Sequence, residues 1–417
     1  VLTGPRGFGR ARRSAAGAAI ALGLGVALFA AGALIPAGFD RPSVDRDAKT
    51  YAISALENIR QARADGDPSH YAEARALLAR SLELRPTDNY EASVGQAALA
   101  NASHDFPASV EWSRRAIALR PAAASSYGLL GDALFELGRY QAADRAYQQM
   151  IDRRPDLASY VRASYALQYQ GRTQRALHAM RLALESAGPV GESPAWIRHQ
   201  LGDIYFGTGD LRRAARSNRI GIEVAPGYAP PTVGLAEVFS ARGRLGAATA
   251  ILERAVADLP SIEYLLKLAE LYDATGRDER ARTAYAAVDS KIVEYRRAGV
   301  LPDVDFILFY ADRKLHLDRT LAEVREMYKV RPTGAVADAL GWTLHALGRD
   351  AEALSFARRA AAAAPSDALL DLHAGVIAHA VGKTGMARDL LMEAEKMSWT
   401  LPPTKVIELR RLLTRLP

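Results

Sequence analysis

The sequence predicts an all-α chain, an α-solenoid of about ten tandem helix–turn–helix units behind one apolar N-terminal segment. Three observations carry that. Within residues 124–155 two helical patterns stand back to back. Tyr127, Leu130, Leu134 and Leu137 form the first; Tyr140, Ala143, Ala146, Tyr147, Met150 and Ile151 form the second, with Gly138-Arg139 between them. Prolines then recur at 86, 121, 155, 226, 260, 332 and 365, several of them about 34 residues apart. Finally, alanine is abundant and no stretch alternates Val, Ile or Thr in the manner of a strand, so helix is favoured throughout.

The 124–155 unit resembles the tetratricopeptide repeat family. The residues that carry the likeness are Tyr127, Leu130-Gly131, Leu134, Gly138, Ala143, Tyr147 and the closing Pro155. Leu130-Gly131 sets a large beside a small residue where two helices pack closely. The resemblance spans roughly residues 51–400. It implies a right-handed superhelix whose concave groove is lined by the first helix of each unit.

Taken in order, residues 1–13 are a basic leader containing Arg6, Arg10, Arg12 and Arg13. Residues 14–39 hold no charged side chain, and at 1.5 Å per residue they are long enough to cross a hydrocarbon core of about 30 Å. The basic flank puts the N-terminus in the cytoplasm and the repeats outside. Two readings fit: an uncleaved transmembrane anchor, or a signal peptide cut after Ala31-Gly32-Ala33 to leave Leu34 first, giving a secreted or periplasmic protein. The charged stretch 40–50 reads as a linker.

The first unit starts near Tyr51 and turns at Asp65-Gly66-Asp67-Pro68. The second has no turn glycine and uses Ala102-Ser103-His104-Asp105. The third is the unit above; the fourth turns at Gly171, the fifth at Gly209, the sixth at Gly243 and the seventh at Gly276. The second helix of the seventh unit runs on to Arg297. The eighth, about 301–332, carries Leu315-His316-Leu317-Asp318 where the turn glycine belongs. The ninth turns at Gly348 and closes at Pro365, and the tenth turns at Gly382. Residues 401–417 read as a C-terminal capping helix, with Val406, Leu409, Leu412 and Leu413 on one face to cover the last unit.

Composition excludes several classes of chemistry. The absence of cysteine rules out disulfides, thiolate zinc and thiol nucleophiles. Net charge is +7, from 54 Lys+Arg against 47 Asp+Glu; without the four leader arginines it is 50 against 47. The basic balance is thus a targeting feature, and no nucleic-acid partner is expected. Gly382-Lys383-Thr384 ends like a phosphate loop, but the first glycine would fall at Ile377 and no strand precedes it. None of the eight histidines has metal-ligand spacing, and Asp303 and Asp305 sit where helix capping explains them. No catalytic residues, metal or cofactor are expected, and the chain reads as a non-enzyme.

The resemblance implies inward-facing positions on the first helix of successive units. These are Asp132, Tyr165, Asp203, Glu237, Glu270, Phe309 and Trp342, with Phe135, Phe206, Asp273 and Asp312 one turn on. Acids with aromatic anchors suit a basic, partly apolar segment of a protein partner. The family's two-carboxylate clamp is not reproduced, because its places hold Gly128, Asp132, Val161, His199 and Asp203. The expected function is a non-catalytic interaction scaffold on the outer side of the cytoplasmic membrane. The alternative is the non-catalytic subunit of an envelope polysaccharide or secretion system, in which Trp196, Phe206 and Trp342 would stack on glycan.

Overall fold

The computed structural model describes residues 43–364 and 367–416. The basic leader, the apolar 14–39 segment and Pro365 lie outside the described residues. Among those described, all regular structure is helical, and it divides into two compact units.

The first unit comprises residues 43–163 together with Val293–Leu301. It contains the hairpins α1 (Ser43–Asp65) with α2 (Ser69–Leu84), α3 (Tyr90–Ala102) with α4 (Phe106–Leu119), and α5 (Ala124–Glu136) with α6 (Tyr140–Arg153). The start of α7 (Leu157–Tyr169) also belongs to it. In α1 the buried side chains are Ala48, Ala52, Ala55, Ile59 and Ala62, a stripe at helical spacing. Because that stripe begins at Ala48, helix starts at Ser43, and the 40–50 stretch read as a linker is mostly the first two turns of α1. Ser81 of α2 ties this end down by donating to the Ala48 carbonyl at 2.6 Å. The charged residues around Ala48 face solvent, which is why they resembled a connector.

The second unit comprises residues 164–292 and the described residues from 302 onward. After the rest of α7 come α8 (Thr173–Glu185), α9 (Glu192–Gly207), α10 (Leu211–Val224), α11 (Ala229–Ala241), α12 (Leu245–Asp258), α13 (Ile262–Ala274) and α14 (Asp278–Arg297). Then follow α15 (Val304–Arg313), α16 (Leu317–Val330), α17 (Gly334–Ala346), α18 (Asp350–Ala363), α19 (Ala368–Ala380), α20 (Thr384–Glu395) and α21 (Pro403–Arg415). Helix α14 is 20 residues long, as its uninterrupted pattern predicts. Residues Val293–Leu301 are counted with the first unit, where Val300, just past the helix, is buried in the core cluster and Tyr295 packs against it. There the Leu301 amide donates to the Ser103 carbonyl at 3.0 Å and Arg75 donates to the Ala298 carbonyl at 3.1 Å.

Local chemistry sets each boundary. Helices α2, α4, α6, α12 and α16 stop two residues before a proline. The residue between (Arg85, Arg120, Arg154, Leu259, Arg331) has φ between −134° and −152° and ψ between 81° and 95°, as steric conflict with the proline ring requires. At the turns the chain passes through the left-handed region. In the unit lacking a turn glycine His104 takes that conformation (φ 61°), and in the α15–α16 turn Lys314 (φ 53°) and His316 (φ 51°) do so. Within a hairpin the helices meet at a small residue. A Cβ built on Gly131 would lie 2.4 Å from the Tyr147 ring, so glycine is what lets α5 approach α6.

Candidate functional site

The first helices of the later hairpins each present one face to a common cavity of about 600 Å³ in the second unit. Positions 203, 237 and 270 recur at the repeat interval, so equivalent residues of α9, α11 and α13 fall in register. Of the residues selected from sequence, Phe206, Glu237, Glu270 and Trp342 line this cavity together with Asp273, Phe309 and Asp312. Asp203, 39% exposed, lies beside His199, 3.4 Å from its Nε2. The Tyr165 hydroxyl donates to Gln200 at 2.8 Å. Neither Asp203 nor Tyr165 lines the cavity.

Asp132 and Phe135 belong to the first unit, where they do structural work. Arg162, 3% exposed, grips Asp132 through two parallel hydrogen bonds of 2.9 Å, from Nε and from Nη2. The Tyr147 hydroxyl adds a third contact to the carboxylate at 3.2 Å. Arg162 loses hydration here, yet Asp132 more than offsets that and holds its pKa above the usual arginine value. Burial, with the Asp132 charge beside it, pushes the Tyr147 phenol well above its ordinary range. Asp132 therefore links α5, α6 and α7 and has little left to offer a ligand. Phe135 packs edge-on against Tyr140, ring centres 5.1 Å apart.

The cavity's acids are largely partnered too. Lys267 of α13 lies 2.6 Å from Glu237 and 3.2 Å from Glu263. Burial raises the Glu237 carboxyl, but Lys267 outweighs it and holds the group below the usual glutamate range. Arg313 lies 3.4 Å from Asp273. Burial pushes Asp305, with Asp303 close by, up to about 7. The open row of acids expected from sequence is thus, in the folded unit, a set of ion pairs and hydrogen bonds.

The remaining partners come from the chain's own C-terminal segment, a strap running from the short 3₁₀ turn Ser398–Thr400 into α21. Trp399 Nε1 donates to the Phe206 carbonyl at 2.9 Å, and its ring lies over the turn at Gly209. The Thr404 hydroxyl donates to Glu270, which also accepts from Tyr285 at 3.1 Å. Lys405 Nζ lies 2.6 Å from Asp312 and 4.7 Å from the Trp342 ring centre. Asp312 accepts in addition from Trp342 Nε1 at 2.9 Å. Burial opposes the Lys405 charge, but Asp312 and Glu408 outweigh it and raise its pKa. Burial likewise opposes the Asp312 charge, and Lys405 and His373 outweigh it and lower its pKa. Burial raises the Glu270 carboxyl above the usual glutamate range despite the Thr404 hydrogen bond.

Trp342 is consequently enclosed. His373 stacks on its ring at 3.9 Å with planes 10° apart, and Lys405 sits over it. His373 is held in turn by Asp338, 2.9 Å away, both residues being buried. Trp196 is also buried, at 6% exposure. Of the aromatics cited for glycan stacking, Trp196 and Trp342 are therefore buried while the strap is seated, and Phe206 is half-buried in the cavity wall. In α21 Leu409 is fully buried in one cluster with Leu391 and Ala394 of the last hairpin, and Val406, Leu412 and Leu413 pack against that cluster. What sequence reasoning missed is the other end of the segment. A tryptophan, two prolines and a lysine immediately before the amphipathic pattern were the available signal.

Among the described residues no group of three or more His, Asp or Glu side chains could hold a metal ion. No helix among them is long and apolar enough to cross a membrane. Models of the tetratricopeptide repeat match residues 124–157 and 263–291, and these stretches are such repeats. Anaphase-promoting complex subunit 7 of Arabidopsis thaliana is 28% identical over 150 residues, 36% of this chain and 26% of that protein. The chain thus spans about a quarter of that relative's length. Among solved structures, the human IFIT1 dimer with PPP-AAAA is 18% identical with a TM-score of 0.46, covering 72% of this chain and 69% of that one. Yeast Tom70 is 12% identical with a TM-score of 0.35, covering 88% and 96%. Likeness at this level leaves the functional argument to the chain's own side chains.

Proposed function

We propose that the chain is a non-catalytic scaffold that holds a basic, partly apolar segment of a partner protein in the groove of the second unit. One observation carries this reading: the groove already holds such a segment, with tryptophan, threonine and lysine side chains each bound to a groove residue. Asp312 and Glu270 are carboxylates in a site that strips water, and each needs a donor or a cation opposite it. A protein segment with Lys or Arg supplies one, and Phe206 and Phe309 supply apolar surface for its neighbours. In this proposal residues 14–39 tether or export the scaffold so that the repeats work outside the cytoplasmic membrane.

The test is a panel of synthetic peptides presented to the full chain. Peptides that combine Lys or Arg with an aromatic residue should bind, and binding should weaken as ionic strength rises, because Debye screening acts on the ion pairs. Binding that ignores salt, or acidic peptides bound equally well, would overturn the proposal.

A further inference from the structure

We infer that residues Trp399–Lys405 are a displaceable self-ligand of the groove, and that the partner recognised there carries the same chemistry: an aromatic side chain followed by a proline-led helical turn bearing a hydroxyl and a lysine. The inference rests on the groove reading above and gives it a defined ligand.

The placement of Lys405 carries the argument. It is the third residue of α21, where the positive end of the helix dipole disfavours a cation and where an acid would suit a simple cap. The cation is matched instead to the groove, by Asp312 at 2.6 Å and by the Trp342 ring. Capping needs only the apolar face around Leu409, which points to the last hairpin. The polar contacts of Trp399, Thr404 and Lys405 fall on α9, α13 and α15 and contribute nothing to covering that hairpin. A terminal segment with two separate faces, one for the end of the array and one for the groove, is organised to compete with an incoming ligand.

The geometry also defines the ligand. Trp399 reaches the Phe206 carbonyl at the end of α9, and its ring lies at 3.0 Å from the position of a Cβ on Gly209, so any side chain at that turn would crowd it. Six residues on, Lys405 reaches Asp312. Pro402 and Pro403 between them fix the backbone as it enters the helix. A partner segment that repeats this spacing meets every donor and acceptor the strap now satisfies.

The probe is a fluorescein-labelled peptide of this chain's residues 397–408, titrated into the full-length protein. A seated strap lowers apparent affinity by the fraction of molecules in which the groove is open. The variant Trp399→Ala/Lys405→Glu loosens the strap while keeping the Leu409 cap, and should bind the peptide at least about tenfold more tightly than the wild type. Adding Glu270→Gln and Asp312→Asn to that variant should remove the binding. If the double variant does not fold, Lys405→Gln alone gives the same comparison with a smaller gain. Equal affinity for wild type and loosened variant, with loss on neutralising the two acids, would overturn the self-ligand and leave the groove reading standing. Binding that ignores the two acids would overturn the recognition described here. No binding to any variant would overturn both.

Discussion

Removing the Asp132 carboxylate is the perturbation that most sharply separates a folding role from a binding one. In Asp132→Ala, Arg162 keeps its charge at 3% exposure and loses both parallel hydrogen bonds, and the Tyr147 hydroxyl loses its acceptor. Breaking one side of a buried ion pair costs about 3–5 kcal/mol, because the surviving charge loses its direct counter-ion; Arg162 would keep only the Ala158 carbonyl at 3.1 Å and the more distant Asp156. A domain's stability is about 5–15 kcal/mol, so this loss should open the first unit measurably. Native-state hydrogen exchange is the suitable assay, since a repeat array opens locally and a single global midpoint would blur the effect. Amides of α5, α6 and the start of α7 should lose protection, while those of α17 to α19, in the second unit, should not change. The double variant Asp132→Leu/Arg162→Met should recover most of the loss, as replacing both charges with apolar side chains leaves neither stranded. A loss below about 1 kcal/mol, the value of an exposed pair, would refute the reasoning and return Asp132 to the candidates for ligand binding.

Two further outcomes follow from local geometry and burial. Lys314 is exposed and caps α15 in the left-handed conformation (φ 53°, ψ 39°), so Lys314→Gly should stabilise the second unit by about 1 kcal/mol. An unchanged or lower urea midpoint would show that the turn carries no such strain. Asp367, 4% exposed, caps α19 by accepting from the Leu369 and Leu370 amides, yet burial and the nearby Asp338 raise it from 3.8 to about 7. Because the folded state holds this proton more tightly than the unfolded one, its contribution is fully present below about pH 4 and is lost as pH rises to about 7. Asp367→Asn keeps an amide-accepting cap, so thermal melts should show it flatter across that window and more stable than wild type at pH 8. A wild-type profile that rises between pH 4 and 7 in step with the variant would contradict the assignment.

The helical hairpins were legible because their causes are local. Apolar spacing, the prolines and the left-handed turn residues act within a few positions of where they stand, so the turns at Gly138 and Gly209 and the long α14 follow from sequence, as does the glycine-free turn at His104; the turn expected over 315–318 falls earlier, at 314–316, with Leu317 and Asp318 already in α16. Register is local in the same sense, and it brought Phe206, Glu237, Glu270 and Trp342 to one cavity. What neighbours those residues is a long-range matter. Asp132 and Glu237 look alike in the repeat, yet one is locked to Arg162, 30 residues away, and the other to Lys267. Glu270 and Asp312 meet Thr404 and Lys405 across 134 and 93 residues of chain. By itself the sequence determined an array of helix pairs, because helix periodicity and backbone sterics are properties of short stretches. Only the tertiary structure decided that the groove is filled from within, because that depends on where the C-terminal segment comes to rest, and the burial of Leu409 and the pairing of Lys405 with Asp312 together set that position.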